Sequence, residues 1–330
     1  MAGDAGFDRA ARGGGTAPAR EAGSADVLIR RLDLERDPVA VVPILRDAFP
    51  AWIQTPASFR YRAEHAPERS QLRQWVAVER GDVVGVGVAG LHAHSSNTEA
   101  AFTWAAVRRD RRRRGIGTRL AELAQVHARE HGARRLTCWS IEAPENVAFA
   151  AMLGFAPARA AVHSVLDPRT VDMSGLESLP SSVQVVSLAE LGDRLEDVFV
   201  AVQDAVLDEP STVPADRLRL DEWLEELENP IFSREATFCT LEEDEVAAFA
   251  EIHLDGETAV AGNGFTGTRR AFRGRGYATA AKLGSIRYLA GRGVTALWTG
   301  NDEGNAAMLA VNRRLGYEPA VRAVELVFEG

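Results

Sequence analysis

Two segments decide the fold: Val107-Arg-Arg-Asp-Arg-Arg112-Arg-Arg-Gly115-Ile116-Gly117-Thr118 and Thr268-Arg-Arg-Ala-Phe-Arg273-Gly274-Arg275-Gly276-Tyr277-Ala278-Thr279. Each places Arg-x-x-Gly-x-Gly/Ala between a run that reads as a strand and one that reads as a helix. Such a loop captures anions. Small residues let the backbone come close to an oxyanion. The free amides of the helix's first turn point at it, and the helix dipole favours negative charge. Flanking arginines add charge-assisted hydrogen bonds to phosphate. A Walker loop needs Gly-Lys-Ser/Thr after its first glycine, and neither copy has it. A dinucleotide loop needs a third small residue; Leu120 fails this in the first copy, while Ala281 passes in the second. Both copies also follow four strands, where a dinucleotide loop follows the first.

The loops lie 161 residues apart, and the elements around them repeat at the same distance. In the first half the pattern predicts strands at Val27–Leu32, Trp75–Glu79, Val83–His92, Ala100–Val107 and Leu136–Ile141. Helices are expected at Arg36–Ala48, Phe59–Glu68, Gly117–His131 and Val147–Leu153, the last closed by Gly154. In the second half strands are expected at Val183–Leu188, Thr237–Glu242, Val246–Leu254, Thr258–Thr268 and Ala296–Thr299. Helices are expected at Ala189–Leu207, Asp216–Leu227, Ala278–Gly291 and Asn305–Leu315. Repetition at this length is duplication rather than a solenoid, whose period is ~20–50 residues. The expected organisation is a disordered tail over 1–26, a first domain over 27–166, a linker over 167–182 and a second domain over 183–330.

Composition narrows the function. The formal net charge of −9 argues against nucleic acid as the partner of the whole surface, despite the arginine run at 108–114. No apolar run approaches the ~18 residues that span a bilayer, so no membrane partner is expected. Cys138 and Cys239 stand far apart without CxxC spacing, which argues against a disulfide framework or a zinc site and fits a reducing cytoplasm.

The order strand, two helices, three strands, Arg-x-x-Gly-x-Gly/Ala, helix, strand, helix, Gly-aromatic resembles the GCN5-related N-acetyltransferase (GNAT) family, twice over. The stretch from Thr299 through Asn305 and Asn312 to Gly316-Tyr317 is similar to that family's closing motif. Asn146 to Gly154-Phe155 is a thinner match. The resemblance implies two α/β domains in tandem. Each would be a mixed, mostly antiparallel sheet with helices on both faces and a V-shaped splay between strands 4 and 5. It implies acetyl-CoA as acyl donor, direct attack by a small-molecule amine, and no metal. In the first half Val107, Arg112, Arg113, Arg114, Gly115, Ile116, Gly117 and Thr118 would hold the cofactor. In the second the set is Thr266, Thr268, Arg273, Gly274, Arg275, Gly276, Tyr277, Ala278, Thr279 and Asn305. A backbone amide near Thr268 would polarise the thioester carbonyl.

Departures from the family pattern separate the halves. The tyrosine that many members use as general acid, four residues before the Gly-aromatic pair, is Asn312 here and Ala150 in the first half. Asn305 keeps a cofactor-contacting asparagine that is Ala143 in the first half. The second half is therefore the expected catalyst and the first a degenerate copy. Glu251 and His253, two apart on a strand and so on one face, are the candidate bases. A solvated strand face is the alternative for them. His92 and His94 read as their counterparts in the first half. The acid-rich stretches around Asp204–Glu209 and Asp216–Glu228 suggest either a cationic acceptor or an ordinary solvated face. A non-catalytic acyl-CoA-binding protein is the rival function, and the assembly is expected to be a monomer or homodimer.

Overall fold

A computed structural model describes residues 27–216 and 218–330; the tail expected over 1–26 lies outside the described residues. The first half runs β1 (Leu28–Arg31), α1 (Pro38–Ala48), α2 (Pro56–Glu64), β2 (Arg73–Glu79), β3 (Asp82–Leu91), β4 (Ala100–Val107), α3 (Ile116–Glu130), β5 (Arg135–Ile141), α4 (Pro144–Met152), β6 (Ala156–Leu166). A short helix, α5 (Ser174–Glu177), interrupts the connection. The second half runs β7 (Val183–Ser187), α6 (Leu188–Leu191), α7 (Leu195–Val206), α8 (Leu220–Glu226), β8 (Phe238–Glu242), β9 (Glu245–Leu254), β10 (Val260–Thr268), α9 (Tyr277–Gly291), β11 (Ala296–Asp302), α10 (Ala306–Leu315), β12 (Glu318–Glu329).

Local chemistry sets most boundaries. Thr55 and Ser58 form a capping box that starts α2, and Ser187 and Glu190 form another that starts α6. The helix expected over Ala189–Leu207 breaks at Gly192, whose φ of 68° leaves the helical region. The connection over 167–182 is not bare chain: Val171, Met173 and Leu176 pack into the core beneath α9.

The strands form one continuous 12-stranded sheet, in the order β1-β2-β3-β4-β5-β12-β6-β11-β10-β9-β8-β7. Only β4–β5 and β10–β11 pair in parallel; the other pairs are antiparallel. The final strands are exchanged. β6, from the first half, pairs with β11 of the second, and β12 pairs with β5 of the first. The two meet along the middle of the sheet over nine registered pairs from Val165↔Glu318 to Ala156↔Val327. Helices cover both faces. Val41, Val42 and Leu45 of α1 pack on Val76, Val86 and Val88, whereas Ile116 and Leu120 of α3 pack on Ala77 and Val84 of the other face. The second half repeats this with α7 and α9.

The central seam carries a buried ionic group. Arg159 of β6 bonds Glu325 of β12 at 2.6 Å and Asp302 of β11 at 3.1 Å, and Thr212 Oγ1 donates to Glu325 at 2.7 Å. Glu325 is 4% exposed. Removing its charge while keeping its shape leaves Arg159 with one carboxylate. Glu325→Gln is expected to lower stability by about 1–2 kcal/mol, read as a lower urea midpoint at unchanged slope.

Three acidic residues of the second half also pair across to the first. Glu222 pairs with Arg69 at 2.5 Å, Glu226 with Arg62 at 3.4 Å, and Tyr61 donates to the Glu225 carbonyl at 2.7 Å. Arg46 reaches Asp255 at 2.5 Å. Glu222, Glu226 and Asp255 thus tie α8 and the β9–β10 turn to the first half, while Asp221 and Glu228 stay exposed.

Candidate functional site

The sheet opens where the splay was expected. β10 and β11 are registered from Val260↔Ala296 to Gly262↔Trp298 and then part. β4 and β5 part after Phe102↔Thr137. In the second half the gap is a cavity of about 570 Å³, lined by Thr266, Thr268, Arg273, Gly274, Gly276, Tyr277, Ala278 and Thr279 on one side and by Asn301, Asn305 and Met308 on the other.

At the end of that cavity none of the six consecutive amides from Gly274 to Thr279 has a protein acceptor among the described residues. The first helical bond of the turn is Ala280 N–H to the Gly276 carbonyl, 3.1 Å. Gly274 and Gly276 have φ of 79° and 84°, left-handed values that curl the chain so that its amides converge. The first-half loop matches it. The amides of Arg113 to Thr118 are equally free, Gly115 has φ 76°, and Arg113 takes the left-handed position that glycine holds in the second half, with φ 63°.

The arginines of the loops have protein partners. Arg273 Nε donates to the Thr268 carbonyl at 3.2 Å and its Nη2 to Asp208 of the chain after α7 at 2.6 Å. Arg112 Nε donates to the Val107 carbonyl at 2.9 Å, with Asp47 of α1 at 3.5 Å. Arg275 goes to Glu242 at 2.5 Å, and Arg114 lies 3.6 Å from Glu79. The guanidiniums of Arg270 and Arg273 hold the Asp208 carboxyl well below the usual carboxylate range. These arginines pin the loops to α1 and β2 in the first half and to the chain after α7 and β8 in the second, while the second loop lines the cavity. Ile116 is buried in the core, so only its amide can serve a ligand. Arg113 forms no ion pair among the described residues.

The fourth strands differ. β10 carries a bulge between Asn263 and Thr266, so Gly264 and Phe265 have no register partner on β9. The bulge sits where β10 leaves β11, at the apex of the splay. β4 runs against β3 without irregularity from Gly85↔Val107 to Leu91↔Ala101. Thr268, by contrast, lies at the loop end of β10, paired with Ala248, six residues from the apex. The bulge leaves Gly264 and Phe265 out of ladder register at the apex, while Thr268 stays in register at the loop end.

Over the bulge stand Glu251 and His253. His253 Nε2 lies 2.8 Å from Glu251 Oε1, and both side chains are largely buried. A Cβ on Gly264 would fall 2.3 Å from Glu251 Oε1 and 2.9 Å from His253 Nε2, so glycine is what admits the pair at this spot. In the first half the register puts Gly90 opposite Phe102 as His253 is opposite Gly262, and Val88 two residues before it. His92 and His94 are therefore not counterparts of the pair. His92 lies 2.9 Å from Thr137 Oγ1, burial holding it below the usual histidine range, and His94 sits 3.4 Å from Glu222. The Phe149 ring also lies against Gly117, 3.4 Å from where a Cβ would be.

His253 lines a second cavity of about 500 Å³ that shares Asn263, Gly264, Thr299, Gly300, Asn301 and Asn305 with the lining of the first. Its walls come from both halves: Phe49, Trp52, Trp139 and His163 from the first, Trp298 and Asp302 from the second. Burial pushes His163 down to about 4, which keeps it neutral at pH 7. Asn305 borders both cavities and caps α10, its Oδ1 accepting from the Met308 amide at 3.1 Å; Ala143 gives α4 no such cap. Burial pushes the Cys138 and Cys239 thiols up to about 12, consistent with core positions. Among the described residues no group of three metal-ligating side chains converges, and no helix is long and apolar enough to cross a membrane.

Sequence reasoning missed Lys282. It lines the larger cavity on α9, is 1% exposed, and burial brings it down to about 7. A signal was available: it is the only lysine in a chain with 38 lysines and arginines together.

The family model for the acetyltransferase (GNAT) family matches residues 39–155 and again 201–317. Among solved structures, a tandem GNAT protein from the clavulanic acid biosynthesis pathway superposes with a TM-score of 0.73 at 22% identity, over 92% of this chain and 98% of that one. A GCN5-related N-acetyltransferase from Sphaerobacter thermophilus gives 0.65 at 17% identity, over 92% and 95%. A putative acetyltransferase from Pyrococcus horikoshii gives 0.56 at 14%, over 95% and 92%. No curated protein matches the chain.

Proposed function

The chain belongs to the GNAT acetyltransferase family, and from that premise we propose that its second half transfers an acetyl group from acetyl-CoA directly to a small amine. One observation carries this reading: the free-amide loop and His253, paired with Glu251, line two cavities that share the bulged β10, and the first half has neither the bulge nor the pair. The amides of Gly274–Thr279 suit a pyrophosphate, since each can donate without giving up a protein acceptor. Backbone amides at the bulge, Gly264 and Phe265, or near Thr268 would stabilise charge developing on the thioester oxygen. His253, held by Glu251, would take the proton from the attacking amine. The aromatic walls Phe49, Trp52, Trp139 and Trp298 favour an amine with an apolar or ring-bearing body.

The first half keeps the loop and lacks the rest, which supports a structural or cofactor-holding role. The test is thiol release from acetyl-CoA over a panel of amines. Release above background with at least one amine is expected, and binding of coenzyme A without release by any amine would favour the non-catalytic reading. Arg113→Ala in the first half is expected to change the rate less than twofold in the same assay, since its loop is not the catalytic one.

A further inference from the structure

We propose that Lys282 is the proton donor to the departing sulfur of acyl-CoA, taking the place that Asn312 leaves without an acid. This rests on the reading that the second cleft binds acyl-CoA. The placement is specific. Lys282 Nζ donates to Asn312 Oδ1 at 2.7 Å, and Asn312 Nδ2 donates to Asn301 Oδ1 on β11 at 2.5 Å. Nζ also lies 4.9 Å from the centre of the Tyr317 ring, whose hydroxyl donates to Asn263 Oδ1 on β10 at 3.1 Å. The amine is thus linked to both walls of the splay, at the level of Asn263 and Asn301, which line both cavities. Ile252 of β9 packs under α9, so Glu251 and His253 point to the opposite face of the sheet. Base and acid would flank the thioester from opposite sides.

The surroundings favour a lysine that exchanges its proton. The groups that meet it are Asn312 from α10 and Tyr317 from the turn after it. Glu242 of β8 is taken by Arg275 and Tyr277, and Lys282 forms no ion pair among the described residues. Burial alone lowers it to about 7, which matches a donor working near neutral pH. Arginine would stay charged there and could not give up a proton. Every other basic position among the lysines and arginines of the chain is arginine.

The step balances as follows. The amine nitrogen forms a bond to the carbonyl carbon and loses a proton to His253. The C–S bond breaks, its electron pair goes to sulfur, and Lys282 transfers a proton to that sulfur. His253 then releases its proton to solvent and Lys282 regains one, which restores both groups. Only the ammonium form donates, so kcat should fall as pH rises through the lysine midpoint.

One lysine makes the test direct. Protein labelled with ¹³C at the lysine ε-carbon gives a single titrating signal, followed alone, with coenzyme A, and with desulfo-coenzyme A. Coenzyme A is expected to raise the lysine midpoint by about one unit or more, because thiolate and ammonium stabilise each other; the desulfo analogue is not. The thiolate absorbance of bound coenzyme A should appear at lower pH than that of the free thiol, and this shift should vanish in Lys282→Met. In turnover, Lys282→Met should lose about 100-fold in kcat with little change in KM for acetyl-CoA. It should recover with an acetyl thioester of an acidic aromatic thiol, which leaves unprotonated. Equal responses to coenzyme A and its desulfo analogue would overturn the proposal while leaving cofactor binding intact. If neither compound binds, the cofactor reading itself falls.

Discussion

Replacing His253 by glutamine is expected to lower kcat on the order of 100-fold, with KM for acetyl-CoA close to that of the unaltered protein. The expectation follows from position. His253 stands over the β10 bulge and lines the second cavity, 2.8 Å from Glu251; the loop residues 274–279 line the other cavity. Removing a general base costs typically 10²–10⁴-fold in the chemical step and leaves uniform binding untouched. Glu251→Gln keeps a hydrogen-bond acceptor and should cost about tenfold, as an orienting partner. Gly264→Ala offers an independent check, because it keeps both groups and moves them. Its Cβ would fall 2.3 Å from Glu251 Oε1, so the pair must shift. Steady-state thiol release measures all three. Full activity in His253→Gln would remove the pair from the mechanism.

The second large effect is expected at Gly276. Its φ of 84° is a conformation that a β-branched residue adopts only at a cost of roughly 1–2 kcal/mol. A Cβ there would meet nothing within 4 Å, so Gly276→Val acts by reshaping the loop rather than by a clash. Losing two charge-assisted hydrogen bonds from the realigned amides amounts to about 3 kcal/mol, or ~100-fold weaker acetyl-CoA binding. Calorimetric titration with acetyl-CoA, beside a melting curve to confirm folding, reads this directly. Gly115→Val imposes the same strain on the first loop, whose φ is 76°. It should leave turnover nearly intact. If Gly115→Val abolishes turnover and Gly276→Val does not, the active cleft lies in the first half.

These two predictions differ in how far the sequence carried them. The loops were legible because a left-handed glycine at a strand-to-helix turn is a local requirement, written into adjacent residues. The pairing of Glu251 with His253 was half legible. Strand alternation puts the two on one face, but only the bulge at Asn263–Thr266 and the missing Cβ of Gly264 bring them to the cleft. The false counterparts, His92 and His94, show the limit. Matching by chain order does not fix register, and the ladder sets Gly90 and Val88 there instead. The cross-half pairs of Glu222 and Glu226 were illegible for a similar reason: their partners Arg69 and Arg62 lie in the other half of the chain.

The sequence by itself determined the duplication, the order of elements up to the last helix of each half, and the two glycine-bearing strand-to-helix turns. Each rests on hydrophobic period, capping and glycine, all of which act within a few residues. The tertiary structure alone decided the closing strands. β6 begins Ala-Pro-Ala-Arg-Ala-Ala, with little β-propensity, and takes its place only through pairing with β11 and β12. Tertiary structure also gave Lys282 its surroundings, because Asn312, Tyr317 and the two strand walls converge on it from separate elements. Contacts across many residues, such as the exchanged strands and the cavity walled by both halves, leave no local mark in the chain, since their free energy is realised only once the whole sheet has formed.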